Sequence, residues 1–206
     1  MSDKNAQSFS NSQFFTYRKT RIPDDTMREL LDIIDPDSLD LTDAKVSSAY
    51  QPEFDNLEWY HSDKRQCKLT GITDKNIGNF VYQQFNECNI ATKVWQYDLN
   101  FSEYVQYLRY TGGGNHFDWH DDMMISQEPP RTRKLSMTIM LSHPDEYEGG
   151  EFEFGSMIEG KPNVKEVSLD YGDILIFPSI MQHRVKPVTS GVRNVLVSWA
   201  WGPMFR

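Results

Sequence analysis

A His-x-Asp triplet, His120-Asp121-Asp122, is answered downstream by His183 and then, ten residues further on, by Arg193. Two imidazoles and one carboxylate can cover one face of an octahedral ferrous ion and leave the opposite face open. An arginine beyond the second histidine can hold a carboxylate through two charge-assisted hydrogen bonds. A second triplet, His116-Phe117-Asp118, offers the same spacing four residues earlier. Alternation along a strand puts residues 120 and 122, or 116 and 118, on one face, so spacing alone does not choose between the pairs. His183 is preferred as the third ligand because it opens a strand-like run after Phe177-Pro178-Ser179, and the following run carries Arg193. Arg193 alternates with Val195 and Val197 and should point inward with them. An inward guanidinium on an apolar face is costly without an anion. The structural alternative is a salt bridge to one of the chain's 30 acidic residues. His61 lies in an irregular segment, as a substrate contact or a half-buried side chain, and His143, before Pro144, reads as an exposed loop residue.

Such ligands need strands to hold them, and the second half of the chain supplies candidates. Strand-like runs fall at Lys93–Leu99, Tyr104–Tyr110, Leu135–Leu141, Glu151–Phe154, Asp173–Phe177, His183–Val188 and Val192–Trp199, separated by Gly, Pro and Asp turns. Gly149-Gly150 is expected to make a hairpin turn, since glycine alone takes positive φ without strain. The first half reads as helical. One helix is expected to start near Ile22-Pro23-Asp24-Asp25, with Met27, Leu30, Leu31 and Ile34 at helical spacing, and to stop at Pro36. A second should run from about Asp74 to Asn89 with an apolar stripe of Ile77, Phe80, Val81, Phe85 and Cys88. Phe14–Arg18 could form a first strand, after a polar arm of about a dozen residues. Residues 43–70 hold Tyr50, Pro52, Phe54, Trp59, Tyr60 and His61 without a clear period. That segment reads equally as a lid over substrate or as a loop wrapping the core. Helices first and then many short strands imply an α+β fold in which a β-sandwich or jelly roll carries the chemistry.

Composition sets the bounds. At 206 residues the chain fits a single domain over 1–206, with 1–92 as supporting helices and lid segment and 93–206 as the β core. Aromatic residues, at 13%, suit the interior of a barrel or sandwich. A net charge of -9 argues against a nucleic-acid partner. The basic run Arg131-Thr132-Arg133-Lys134 is expected to be a solvated loop edge beside a strand. Cys67 and Cys88 lack metal-type spacing, and Cys88 falls on the apolar side of the second helix. The N-terminal residues are polar, and no run approaches the roughly 20 apolar residues of a membrane span. A cytoplasmic, reducing location is the expectation, with no membrane partner.

Beyond spacing, the flanking residues carry a resemblance. Tyr110-Thr-Gly-Gly-Gly-Asn-His-Phe117-Asp-Trp-His120-Asp-Asp122 resembles the metal-binding strand of prolyl 4-hydroxylase-type 2-oxoglutarate/Fe(II) oxygenases, in particular their bacterial and phage branch. There a tyrosine and a glycine-rich turn precede an aromatic residue, and His-x-Asp follows it. Arg133 to Ser142 with Tyr147 to Glu151 is similar to the family's next hairpin. Tyr171 to Pro178, His183, Gly191 to Arg193 and Trp199 to Pro203 are similar to its closing strands, so the likeness spans about residues 93 to 206. It implies a double-stranded β-helix core with N-terminal supporting helices. It implies His120, Asp122 and His183 as the metal ligands and Arg193 and Tyr110 as contacts to 2-oxoglutarate. Fe(II), 2-oxoglutarate and O2 would be required, with ascorbate as an optional reductant. In the family, 2-oxoglutarate goes to succinate and carbon dioxide while a C–H bond is hydroxylated. A retained carboxylate, Asp122, favours hydroxylation over the halogenation of relatives that vacate that position. One departure stands out: many relatives carry serine two residues after the arginine, where this chain has Val195, and Thr138 could replace the missing hydroxyl. By analogy the substrate is a protein or peptide, with peptidyl proline the first choice. A small molecule or free amino acid is the alternative. A cupin-type metal- or sugar-binding module is a further one, weakened by the lack of any His-x-His.

Overall fold

The computed structural model describes residues 8–11, 16–47, 59–60 and 62–205. Helix α1 (Asp24–Ile34) begins with Asp24 and Asp25 in its first turn, where the helix dipole favours negative charge. Asp35 ends it in the left-handed conformation, its N–H donating to the carbonyl of Leu31. Met27, Leu30 and Ile34 are the buried stripe. Helix α2 (Lys75–Thr92) is capped by Asp74, whose carboxylate accepts from the backbone N–H of Asn76 and Ile77 at 2.8 and 3.2 Å. It buries Ile77, Val81, Phe85 and Cys88. Phe85 alone, fully buried, contributes roughly 1.5–3 kcal/mol of transfer free energy.

The expected strand at Lys93–Leu99 does not form. Helix α2 runs past Asn89 to Thr92, and Lys93 and Gln96 take positive φ values of 53° and 45°. The Asn89 amide then donates to the Tyr97 carbonyl at 2.7 Å and accepts its N–H at 2.9 Å, so backbone groups that a strand would pair are bound to a side chain instead.

The remainder is mostly antiparallel β-sheet. The larger layer runs, in spatial order, Ser8–Asn11, Thr16–Arg21, Asp173–Pro178, Pro130–Met140, Gln182–Pro203, Val105–Thr111, Lys68–Ile72 and Thr42–Asp43. In a smaller layer, Asn115–His120 and Phe152–Ile158 flank the beginning of Gln182–Pro203, and Lys161–Val167 lies outside Phe152–Ile158. The two late runs read as separate strands are therefore one 22-residue strand that serves both layers. It crosses between them at Gly191, where φ is +72° and a Cβ would lie 2.0 Å from the Glu146 carbonyl oxygen. Only glycine fits there. One apolar cluster fills the space between the layers, with Leu108, Tyr110 and Val195 from one and Phe152, Phe154 and Val188 from the other. A second lies between the two helices and the outer face of the larger layer, through Phe85, Met27, Leu135, Ile139 and Leu196.

Three further expectations are corrected. Gly149 and Gly150 do take positive φ, 75° and 68°, but the chain does not reverse. Tyr147, Glu148 and Gly149 pair with Gly191, Ser190 and Val188, and Phe152 continues along the same partner at Val185. The glycines make a bulge, not a hairpin. The hairpin comes later, at Glu159-Gly160 between Phe152–Ile158 and Lys161–Val167, with both turn residues at positive φ. The basic run 131–134 is not a solvated edge either. It lies inside the strand Pro130–Met140, with Thr132, Arg133 and Lys134 buried. Finally, the strand expected at Phe14–Arg18 is Thr16–Arg21, Phe14 lies outside the described residues, and a strand at Ser8–Asn11, within the expected polar arm, pairs with it.

Of the irregular segment, Val46–Ser47 pairs with Trp59–Tyr60, and Arg65–Gln66 pairs with the metal-side strand at Phe117 and His116. Tyr50, Pro52, Phe54 and His61 lie outside the described residues. Among the described residues, no helix is long and apolar enough to cross a membrane.

Candidate functional site

His120 closes the strand Asn115–His120 and sits directly across from His183 on Gln182–Pro203. Asp122 follows two residues later, its N–H donating to the Ser179 carbonyl at 2.9 Å. One side-chain ligand atom from each of His120, Asp122 and His183 lies within 4.8 Å of the other two. The Asp122 carboxylate is 3.7 Å from His120 Nε2 and 3.4 Å from His183 Nε2. Both imidazoles are oriented from behind: His120 Nδ1 meets the Asp118 carbonyl at 2.7 Å and His183 Nδ1 the Met181 carbonyl at 2.9 Å. With the proton on Nδ1, each Nε2 presents a lone pair inward.

The competing pair behaves differently. His116 Nδ1 bonds the Gly114 carbonyl at 2.7 Å, and Asp118 is exposed and accepts the Trp119 N–H. Among the described residues they join no group of three metal-type ligands. His143 is exposed and stacks on Tyr171.

Electrostatics prepares the three for a cation. Burial, and then the neighbouring His183, pull the His120 imidazole well below its ordinary pKa, so it stays neutral. Burial opposes charge on Asp122, but His183, His120 and Arg133 outweigh it and hold the carboxyl below the usual range. Phe117 stacks on His120 with ring centroids 3.4 Å apart, fixing the imidazole plane. Arg133 grips Glu103 through two bonds of 2.6 and 2.8 Å, lies 4.1 Å over the Trp199 ring, and donates to the Asp122 carbonyl at 3.4 Å.

Arg193 and the triad open into the same cavity, together with Tyr110, Thr138, Val195 and Trp199. Arg193 is 1% exposed, yet its Nε and Nη1 have no hydrogen-bond partner among the described residues. Buried donors left unpaired are rare and call for a ligand. No structural salt bridge of Arg193 exists among the described residues. The guanidinium lies 5.5 Å from the Tyr110 ring centroid. Burial, and next Cys67, push the Tyr110 phenol above its ordinary pKa, so it keeps its proton. Gly150 makes room: a Cβ there would come within 2.8 Å of Arg193 Cδ. Val195 and Thr138 both line the cavity.

Sequence reading had not singled out Arg65 or the Arg133–Glu103 pair. Both depend on contacts across at least 30 residues, 65 with 117 and 103 with 133, and no local pattern announces them.

A triad of this make-up beside an unsatisfied buried arginine could hold a ferrous ion and a dicarboxylate. Residues 105–201 match the family model of the 2OG-Fe(II) oxygenase superfamily. A PKHD-type hydroxylase of Synechococcus sp. (strain CC9902) is 41% identical over 86 residues, covering 42% of this chain and 36% of the relative. The match thus spans well under half the length of that curated relative. In structure the chain is similar to a Pseudomonas putida prolyl-4-hydroxylase, with a TM-score of 0.64 at 16% identity over 90% of this chain and 92% of that one. It is also similar to a Trichoplax adhaerens prolyl hydroxylase in complex with a peptide fragment of the hypoxia inducible factor oxygen degradation domain. That likeness has a TM-score of 0.58 at 14% identity and covers 89% of this chain and 82% of the other.

Proposed function

We propose that the chain is an Fe(II)- and 2-oxoglutarate-dependent hydroxylase, a single domain whose paired layers form a double-stranded β-helix. His120, Asp122 and His183 would hold the ion. Arg193 would take the far carboxylate of 2-oxoglutarate through its free Nε and Nη1, with Tyr110 donating its phenolic proton and Thr138 replacing the hydroxyl lost at Val195. The observation that carries this reading is the buried Arg193, whose Nε and Nη1 have no acceptor among the described residues, in a cavity that it shares with the triad. The fit is chemical as well as spatial: two imidazoles with one carboxylate suit ferrous iron, and a planar fork suits a carboxylate.

With iron, 2-oxoglutarate and O2 bound, the cofactor set supplies the oxidising chemistry, giving succinate, carbon dioxide and a C–OH group. The chain's own residues do the positioning. The Asp118 and Met181 carbonyls hold the Nδ1 protons of His120 and His183, so that both Nε2 atoms stay free. Phe117, Phe177 and Trp199 wall the cavity with apolar surface that limits water. The acceptor of oxygen in this reading is a peptide side chain, with proline first, a choice supported by the likeness to prolyl hydroxylases. Purified protein supplied with Fe(II), 2-oxoglutarate and proline-containing peptides under air should release succinate and add one oxygen to a peptide. Co-substrate turnover at background with no mass gain would overturn the proposal.

A further inference from the structure

Arg65 is the second guanidinium of the cavity. It lies on the short strand Arg65–Gln66, directly across from Phe117. Its guanidinium carbon is 4.8 Å from the Phe117 ring centroid, and that ring stacks on His120. Arg65 Nη1 donates to the Lys45 carbonyl at 3.3 Å, whereas Nε is buried with no partner. Among the described residues no carboxylate pairs with it. Its positive charge also reaches Cys67, Tyr110 and His120.

The charges that line the cavity are then Arg65, Arg193 and Asp122. A divalent ion and the 2-oxoglutarate dianion cancel each other. Asp122 balances one arginine, and Arg193 is engaged by the co-substrate. One positive charge is left, with an unpaired buried donor, beside the Phe117 ring that stacks on His120. A half-buried guanidinium with an unpaired buried donor favours an anion.

Resting on the hydroxylase reading above, we infer that Arg65 is a substrate-recognition residue and that the preferred substrate carries a carboxylate within a few bonds of the carbon that is oxidised. A free amino acid offers that group at its own terminus, and a peptide offers it on an acidic side chain next to the reacting residue. The contact is a charge-assisted hydrogen bond in a pocket with little water, which favours an acid over its amide by about tenfold or more.

The full chain loaded with Mn(II) and 2-oxoglutarate tests this through paramagnetic relaxation of probe protons. The probes are N-acetyl-proline and its amide, and the blocked peptides Ala-Pro-Glu-Ala and Ala-Pro-Gln-Ala. The expected result is that one acid binds about tenfold more tightly than its amide twin, and which acid does so identifies the source of the carboxylate. Arg65→Gln should bring acid and amide to equal affinity while relaxation of 2-oxoglutarate protons is unchanged, and Arg65→Lys should restore part of the preference. Acids that bind no better than their amides, or Arg65→Gln weakening 2-oxoglutarate as much as the probes, would overturn the inference. If 2-oxoglutarate protons are not relaxed in the unaltered protein, the hydroxylase reading fails first and this inference falls with it.

Discussion

Removing the Arg193 charge separates the two halves of the site. Arg193→Leu should weaken 2-oxoglutarate by about a hundredfold, the order expected for two charge-assisted bonds in a buried pocket, and leave metal affinity nearly unchanged. Calorimetric titration of Mn(II) and then 2-oxoglutarate reads both. His120→Ala and Asp122→Ala should abolish Mn(II) binding with little loss of folded structure by circular dichroism, and His116→Ala should leave Mn(II) binding intact. A protein that loses Mn(II) with His116→Ala and keeps it with His120→Ala would assign the wrong triplet. At this scale much was legible. The types and spacing of His120, Asp122, His183 and Arg193 are visible in the sequence, and the structure brings the first three within 4.8 Å of one another, although Asp122 lies just past the end of its strand. Spacing could not rank 120/122 above 116/118, since the difference lies in which pair meets His183, more than 60 residues away in sequence. Arg65 was illegible because its neighbour Phe117 lies 52 residues away in sequence.

The strand Gln182–Pro203 is the element on which the site depends most, and Gly191 is its most constrained position. Gly191→Ala would combine a positive φ with a Cβ only 2.0 Å from the Glu146 carbonyl oxygen. Left-handed backbone alone costs a non-glycine residue about 1–2 kcal/mol, and the overlap adds to that, so a loss of more than about 2 kcal/mol by urea denaturation is expected. Truncating the Arg133–Glu103 pair at one end should also be severe. Arg133→Leu leaves the half-buried Glu103 carboxylate with only the Trp201 indole N–H, a change of about 1–3 kcal/mol, and it also loosens Trp199 and the Asp122 backbone. The variant should therefore lose Mn(II) affinity along with stability. Elements were read unevenly from sequence. Both helices were clear, because capping and 3.6-residue periodicity are local. The glycine pair was read correctly for φ and wrongly for direction, because only the partner strand decides between a bulge and a hairpin. Lys161–Val167 was missed: most of its residues are exposed, so no apolar alternation marks it.

At the scale of the whole molecule, ligands should act as staples between the layers. His183 lies in the smaller layer and Arg193 in the larger, and the metal and co-substrate would bridge the space between. Mn(II) with 2-oxoglutarate at a hundred times its dissociation constant should stabilise the folded state by about 2.7 kcal/mol, visible as a raised melting temperature. Mn(II) with succinamide, which lacks both the carboxylates and the keto group, should add nothing beyond the metal's own effect. Equal shifts with the two compounds would show that the cavity does not select a charged diacid.

One uninterrupted piece of backbone carries both the second imidazole of the triad and the guanidinium, with the crossing glycine between them. The interval between the two is thus a property of covalent chain length and a single kink, held independently of the surrounding loops. Such a segment works as a caliper for diacids. Oxaloacetate, one carbon shorter, and 2-oxoadipate, one carbon longer, bear the same charges but miss one jaw, and competition against 2-oxoglutarate should rank both far behind it.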